Sequence, residues 1–433
     1  CIFACSTFAY MKRSWGFLAT VITILSLVEY YCYVAFRLSI ASLSQANKKW
    51  ITAVYIIVSL VGWASLFWMR YVSAHTFPKN VKALILASLF GFVVAKLLIA
   101  VFMLLGDVYR FFQWIAKSAR SAPVHLQADG MDQGTAHLLP RSVFLSRMAL
   151  LAGGLMFGGF VWGTTNRYRY HLKKMKLTVK GLPEALKGLK LVQISDIHSG
   201  SFDNQEAVEA GVKMILAQKP DLIVFTGDLV NDRASELKPY LEVFSQLNAP
   251  LGVYSTLGNH DYGDYVEWES AAAKADNLNT LKQYHQDMGW KLLMNEHIVL
   301  NKDGADFVLL GVENWSANSR FPRLGKLSEA YKGLEGKSLP LKILLSHDPS
   351  HWDAEVRKDY GDIDLTLSGH THGMQFGIDL PWFKWSPVQY AYHQWAGLYT
   401  ENNQSLYVNR GYGFLGYQGR LGILPEITVI EFA

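Results

Sequence analysis

Hydrophobic and polar positions divide the chain into two halves with different patterns. Before about residue 165, apolar residues run almost uninterrupted through four stretches, 15–36, 51–69, 83–105 and 143–163. Each approaches the roughly 20 apolar residues that cross a bilayer as a helix. One such stretch also suits a buried core helix. Four in close succession, several flanked by Trp and Tyr, predict membrane spans, and a cleaved leader accounts for at most the first of them.

Beyond residue 186 the apolar runs shorten, and most end in a polar cluster. Residues 190–195, 222–227, 252–258, 342–346 and 363–369 read as buried strands, 307–312 as another, and 406–409 and 427–432 as closing strands. Residues 204–219 read as a helix, with Val208, Val212, Ile215 and Leu216 at i, i+4, i+7 and i+8 and Pro220 as its stop. Residues 235–247 read as a second helix, with Leu237, Leu241, Phe244 and Leu247 on one face. This alternation predicts an α/β layered domain. The segment 262–340 is less regular. Its Tyr262, Trp268, Asn314 and Trp315, with Trp382 further on, read as a hydrophobic subcore in preference to a substrate or membrane-facing rim. The expected division is a membrane domain over 1–165, a basic linker and first strand over 166–186, and a soluble domain over 187–433.

Charge adds detail to the first half. Glu29, Lys96 and Arg147 lie in or near the spans, where a charge is costly and functional pairing is the default reading. They motivate a transporter or sensor reading of the membrane half, although no inverted repeat of broken helices accompanies them. Gly154-xxx-Gly158 and Gly159-xxx-Gly163 predict close helix packing, and 107–141 reads as a polar loop. With the N-terminus inside, ten basic residues flank the spans on that side (Lys12, Arg13, Arg70, Lys79, Lys82, Arg167, Arg169, Lys173, Lys174, Lys176) and seven on the other (Arg37, Lys48, Lys49, Arg110, Lys117, Arg120, Arg141). That bias places the C-terminal domain in the cytoplasm. A partial export signal at 141–146 with a single arginine ranks second. Met11-Lys12-Arg13-Ser14 reads as the start, and residues 1–10 as upstream sequence.

The whole chain has 433 residues, half of them apolar and 18% charged, with a net charge of +5 and no basic run that suits nucleic acid. Its three cysteines, Cys1, Cys5 and Cys32, all precede the second half. That half therefore has no thiolate metal site. Its chemistry lies in Asp196-x-His198, Gly227-Asp228, Gly258-Asn259-His260-Asp261, His347 and Gly369-His370-x-His372. Taken singly, an Asp after a strand is a turn former or cap, and a lone His is a packed core residue. Five such clusters in order, each after its own apolar run, predict metal ligands at strand ends. Imidazole with carboxylate suits Mn, Fe or Zn, and the ligands suffice for two divalent ions that clamp a phosphoryl displacement.

On these blocks, residues 187–433 resemble the calcineurin-like metallophosphoesterases, most closely the membrane-associated bacterial branch of YkuE- and YaeI-like phosphodiesterases. The resemblance implies a four-layer αββα sandwich behind the transmembrane helical bundle. It implies one metal on Asp196, His198 and His372, a second on Asn259, His347 and His370, and Asp228 bridging both. His260 would contact the phosphoryl oxygen and protonate the leaving group, with Asp261 orienting its ring, and Arg410 and Arg420 would contact substrate. The expected enzyme is a phosphohydrolase anchored in a bacterial inner membrane. It would cleave a phosphodiester or pyrophosphate bond of an envelope or lipid-linked substrate at the bilayer surface. A specific alternative is a UDP-2,3-diacylglucosamine pyrophosphatase of lipid A synthesis.

Overall fold

The computed structural model describes residues 15–68, 78–119 and 141–433. They divide into a helical unit that ends at Trp162 and an α/β unit that spans Gly163–Ala433.

The helical unit holds Trp15–Ser39, Gln45–Trp68, Lys79–Ala119 and Arg141–Gly163, all but the last residue of the fourth helix. All four helices are long and apolar enough to cross a membrane. Outward-facing Ile, Leu and Phe are numerous, as expected where lipid replaces water. The third helix has 41 residues, so residues 107–119, expected as loop, are helical. The expected Met11 start, with Lys12 and Arg13, and the remainder of that loop at 120–140 lie outside the described residues. Expected packing at Gly154 and Gly158 is not seen, since a Cβ at either would meet nothing within 4 Å. The close approach is one residue earlier, at Gly153, which faces Ile99 and the Ala95 carbonyl.

Two of the three charges in the spans neutralise each other. Lys96 Nζ lies 2.6 Å from Glu29. Glu29 also accepts from Tyr55 at 2.6 Å and Trp63 at 2.8 Å, and Lys96 donates to Ser59 at 2.8 Å. This network pins the first three helices together. Arg147 is exposed.

The α/β unit has fourteen strands: β1 (His171–Leu177), β2 (Lys190–Ile194), β3 (Leu222–Thr226), β4 (Val253–Thr256), β5 (Lys291–Leu292), β6 (Glu296–Lys302), β7 (Ala305–Gly311), β8 (Lys342–Leu345), β9 (Leu365–Ser368), β10 (Ile378–Leu380), β11 (Phe383–Trp385), β12 (Gly397–Glu401), β13 (Gln404–Val408) and β14 (Glu426–Phe432). Six form one sheet in the order β1-β14-β2-β3-β4-β5, and six a second in the order β12-β13-β9-β8-β7-β6. β10 and β11 form a separate hairpin.

Strand alternation builds the layers. Leu222 and Val224 of β3 meet Ile343, Leu345, Leu365 and Leu367 between the sheets. Ile223 and Phe225 point the other way, onto Val208, Val212, Ile215 and Phe244. On the far face of the second sheet, Leu310, Leu344 and Val408 pack on Trp352 and Val356. Helix, sheet, sheet, helix is the expected four-layer sandwich.

Local departures have local causes. The helix Gln205–Leu216 forms where expected, with Asn204 capping it by accepting from the Ala207 amide. The expected helix at 235–247 is instead two 3-10 turns and the short helix Leu241–Phe244, because Pro239 removes a backbone donor mid-segment. The irregular segment contains an unanticipated 17-residue helix, Ala271–Asp287. It buries only Leu281 and His285, too few for a periodic signal. The β6–β7 turn puts Asp303 and Gly304 at φ 52° and 87°, as an Asp-Gly hairpin requires. Tyr262, Asn314 and Trp315 are buried and Trp268 partly so, consistent with the subcore reading, but Trp382 is 81% exposed.

Removing one partner of a buried ion pair costs about 3–5 kcal/mol, whereas replacing both by apolar or neutral groups is nearly neutral. Lys96→Met is therefore expected to lower the unfolding midpoint in detergent, and Glu29→Gln combined with it to recover most of the loss. A single variant as stable as the double one would show that the pair does not lock the helices.

Candidate metal centre

β2, β3 and β4 run parallel in the first sheet, and β8 and β9 run parallel in the second. Their carboxyl ends meet at one place. Cross-sheet hydrogen bonds close the seam: Gln193 of β2 donates to the Ser368 carbonyl at 2.9 Å, and His347 Nδ1 to the Thr226 carbonyl at 2.7 Å.

The chain turns sharply after each strand. Asp196, His198, Asp228, His370 and His372 have φ of 51°, 49°, 63°, 70° and 50°, in the left-handed region that L-residues disfavour. This conformation folds consecutive side chains inward instead of continuing the strand. Two glycines permit the crowding. A Cβ on Gly227 would lie 2.5 Å from the Gly258 amide nitrogen, and one on Gly369 would collide with Ser195 and the Asp196 carboxylate.

Two groups of convergent side chains result, Asp196 with His198 and His372, and Asp228 with His347 and His370, their ligand atoms within 4.8 Å of one another in each group. His198 Nε2 and His372 Nε2 face each other at 3.0 Å, and His347 Nε2 and His370 Nδ1 at 3.3 Å. Nitrogens bound about 2.0–2.1 Å from one tetrahedral cation lie roughly 3.3 Å apart. Asp228 Oδ2 lies between the groups, 3.5 Å from His198 Nε2 and 3.2 Å from His347 Nε2. Its Oδ1 accepts the His260 amide at 2.8 Å. The Asn259 oxygen faces His370 Nδ1 at 2.8 Å, and its amide nitrogen donates to Tyr265.

The electrostatics suit a cation. Burial lowers the pKa of His198, His370 and His372, which keeps their lone pairs available as ligands. Burial raises and His372 then lowers the Asp196 pKa, and the second effect wins. Asp228 is likewise held low by His347 and His260 against burial. Burial opposes charge on His347, but Asp228 and Asp196 outweigh it and raise its pKa to about 10. His198 Nδ1 is buried without a hydrogen-bond partner. Facing ring nitrogens and ionised carboxylates converging in each group together fit divalent metal ions.

Other predicted roles require correction. Asp261 does not orient the His260 ring. The two share a 3-10 turn, in which neighbouring side chains diverge by about 120°. Asp261 instead accepts from the amides of Gly258, Asp228, Leu229 and Val230 at 2.8–3.3 Å. His260 Nδ1 lies 2.7 Å from the Asn231 carbonyl, and its ring centroid is 5.0 Å from that of His198. Arg410 and Arg420, predicted substrate contacts, are both almost wholly buried. Arg410 is paired with Glu426 and, at 3.3 Å, with Asp379. Arg420 donates to the carbonyls of Arg410, Gly411, Gly413 and His372. It braces the backbone behind His372.

Three supporting residues gave no signal of their own. Tyr265 orients Asn259, and Tyr392 lies 2.8 Å from His370 Nε2 while donating to Asp348 at 3.2 Å. Both tyrosines come from irregular segments. Asp348 directly follows His347, and that adjacency was the one available cue.

Convergent His/Asp groups at the strand ends of an αββα sandwich, behind four membrane-length helices, define a membrane-linked metallophosphoesterase. Comparison with known proteins agrees. Residues 12–167 match a family described as probable calcineurin-like phosphoesterase, transmembrane domain, and residues 189–374 match calcineurin-like phosphoesterase. The uncharacterized metallophosphoesterase YkuE of Bacillus subtilis (strain 168) is 30% identical over 301 residues, 67% of this chain and 96% of that protein. The transmembrane protein with metallophosphoesterase domain of Danio rerio is 33% identical over 264 residues, 59% of this chain. The chain spans 56% of that relative's length. The UDP-2,3-diacylglucosamine pyrophosphatase LpxG of Chlamydia trachomatis is 29% identical over 294 residues, 58% of this chain and 87% of that protein. The chain belongs to the calcineurin-like phosphoesterase family, a class of phosphoester hydrolases.

Two substitutions test this geometry. Arg410→Met leaves Glu426 buried and unpaired, so a stability loss of about 3–5 kcal/mol is expected, with an unchanged KM for the folded fraction. Unaltered stability with a raised KM would restore Arg410 as a substrate contact. Gly227→Ala is expected to lower bound divalent metal per chain, read by plasma mass spectrometry of the purified protein.

Proposed function

We propose that the chain is a membrane-anchored dimetal phosphohydrolase that cleaves a phosphodiester or pyrophosphate bond of an envelope or lipid-linked substrate. The observation that carries this reading is the position of Asp228 Oδ2, within 3.5 Å of one histidine from each group. Divalent ions bound there, Mn, Fe or Zn by their donor set, would supply hydroxide at neutral pH and neutralise the phosphoryl oxygens. Asp196, His198 and His372 would hold one ion, Asn259, His347 and His370 the other, and Asp228 would be shared.

His260 lies beside this cluster, with Nδ1 donating to the Asn231 carbonyl, so Nε2 is the atom left for substrate. In this reading it contacts a phosphoryl oxygen and delivers a proton to the leaving oxygen. Asp261 acts through the backbone, holding the Asp228 and Asn259 loops in register.

The membrane spans favour a bilayer-resident substrate, and the Chlamydia trachomatis relative makes UDP-2,3-diacylglucosamine a specific candidate. The excess of basic residues on one side favours a cytoplasmic active site at a bacterial inner membrane. Of the three charges that suggested transport, Glu29 and Lys96 satisfy each other and Arg147 is exposed, which favours an anchoring role for the helices.

Asp228→Asn is expected to lower Mn-stimulated hydrolysis of bis(p-nitrophenyl) phosphate by the full chain by at least ~100-fold, and retained activity would refute the shared-ligand role. General acid catalysis contributes about 10²–10⁴-fold. His260→Gln is therefore expected to reduce kcat within that range at unchanged metal content.

A further inference from the structure

The β10–β11 hairpin is built inside out. Its register pairs Ile378 with Trp385, Asp379 with Lys384 and Leu380 with Phe383. Residues directly opposite each other share a face, so Ile378, Leu380, Phe383 and Trp385 form one apolar face. Asp379, on the other face, turns to the body of the unit and binds Lys173 at 2.9 Å and Arg410 at 3.3 Å. The apolar face is therefore the outer one: Ile378, Leu380 and Phe383 are 40%, 41% and 45% exposed, and Trp382 at the tip 81%. A hairpin meant for water has the opposite arrangement.

We propose that this hairpin seats its outer face and Trp382 in the surface of the bilayer that carries the chain's own helices, and so presents the metal centre to lipid-borne phosphoesters. The inference rests on the phosphohydrolase reading above. Three further observations select a lipid surface as the occupant. Lys173, which holds Asp379, belongs to β1, and β1 begins at His171, eight positions after the last membrane helix ends at Gly163. Seven intervening residues span at most about 25 Å, so the anchor strand of the hairpin stays near the membrane. Arg169 on this lead-in and Lys174 and Lys176 further along β1 are exposed, the juxtamembrane basic pattern that anionic lipid attracts. An exposed tryptophan at a tip, next to a half-exposed phenylalanine, is the composition of a bilayer interface.

The hairpin is also joined to the site at both ends. It follows the turn that carries His372. After it, Ser386 donates to the Gly373 carbonyl at 2.8 Å, and Tyr392 reaches His370 at 2.8 Å. Depth of the hairpin in the bilayer thus sets the height of the ligand loop above it.

The test uses the full chain in liposomes, with Cys1, Cys5 and Cys32 changed to Ser. A fluorophore is placed at Trp382→Cys, or at Asn279→Cys on the helix outside the first sheet, and quenched by lipids with a shallow nitroxide. Quenching at 382 at least threefold above that at 279 is expected, and equal quenching overturns the proposal. A second arm combines Trp382→Ser with Phe383→Ser and compares Mn-stimulated hydrolysis of bis(p-nitrophenyl) phosphate in solution with that of phosphatidyl-p-nitrophenol in the bilayer. A loss of tenfold or more on the lipid diester, with less than twofold change on the soluble one, is expected. Equal losses, or none, overturn the proposal. If the parent chain hydrolyses neither diester, the phosphohydrolase reading fails, and the quenching arm still decides the position of the hairpin.

Discussion

Asp196, His198, Asp228, His370 and His372 sit in left-handed backbone beyond the ends of β2 and β3 in one sheet and β9 in the other, and each such residue is disfavoured by about 1–2 kcal/mol. The surroundings over-determine these turns. The Asp196 carboxylate accepts the His370 amide at 3.0 Å, so the ligand loop of one sheet is tied to that of the other. Asp261 collects four amides from the β3 and β4 loops. The seam bonds of Gln193 and His347 close the gap between the sheets. Strained backbone held this firmly is characteristic of sites where geometry is functional. The sandwich, its glycines and its buried carboxylates follow from the need to hold that geometry.

The convergence of these His and Asp residues could be read from the chain, because each lies directly after an apolar run and the strands had to bring those ends together. The spans were legible for a similar reason, being long and continuous. What could not be read came from contacts without local pattern. Arg410 and Arg420 lie in a Gly-rich segment that resembles a binding loop, and only the fold shows Glu426 and four carbonyls satisfying them. The partner of His260 is a carbonyl, which no side-chain pattern encodes. The helix Ala271–Asp287 escaped because its surface is polar nearly all round. In the third membrane helix, Asp107 and Arg110 suggested a loop, but the two pair with each other at i, i+3 and the helix continues.

The two units solve one problem, the placement of charge out of water, in different ways. In the helices, Glu29 and Lys96 cancel, and Tyr55, Trp63 and Ser59 take up the remaining hydrogen-bonding capacity. In the sandwich the carboxylates are only partly compensated, and imidazole lone pairs face one another. That residual demand for positive charge separates a structural polar network from a chemical one.

β14 lies between β1 and β2, pairing parallel with the first and antiparallel with the second. During synthesis, both neighbours leave the ribosome long before the strand that joins them. Some 230 residues separate β2 from β14, about 10–50 s of translation at ordinary rates. Through that interval β1 and β2 each present an open edge, the condition in which strands pair with the wrong partner. The Lys173, Lys174 and Lys176 side chains of β1 then act as guards, because charge on a waiting edge discourages intruding strands. The first sheet therefore closes only once β14 has been made, and a chain without residues 426–432 would leave β1 and β2 unjoined.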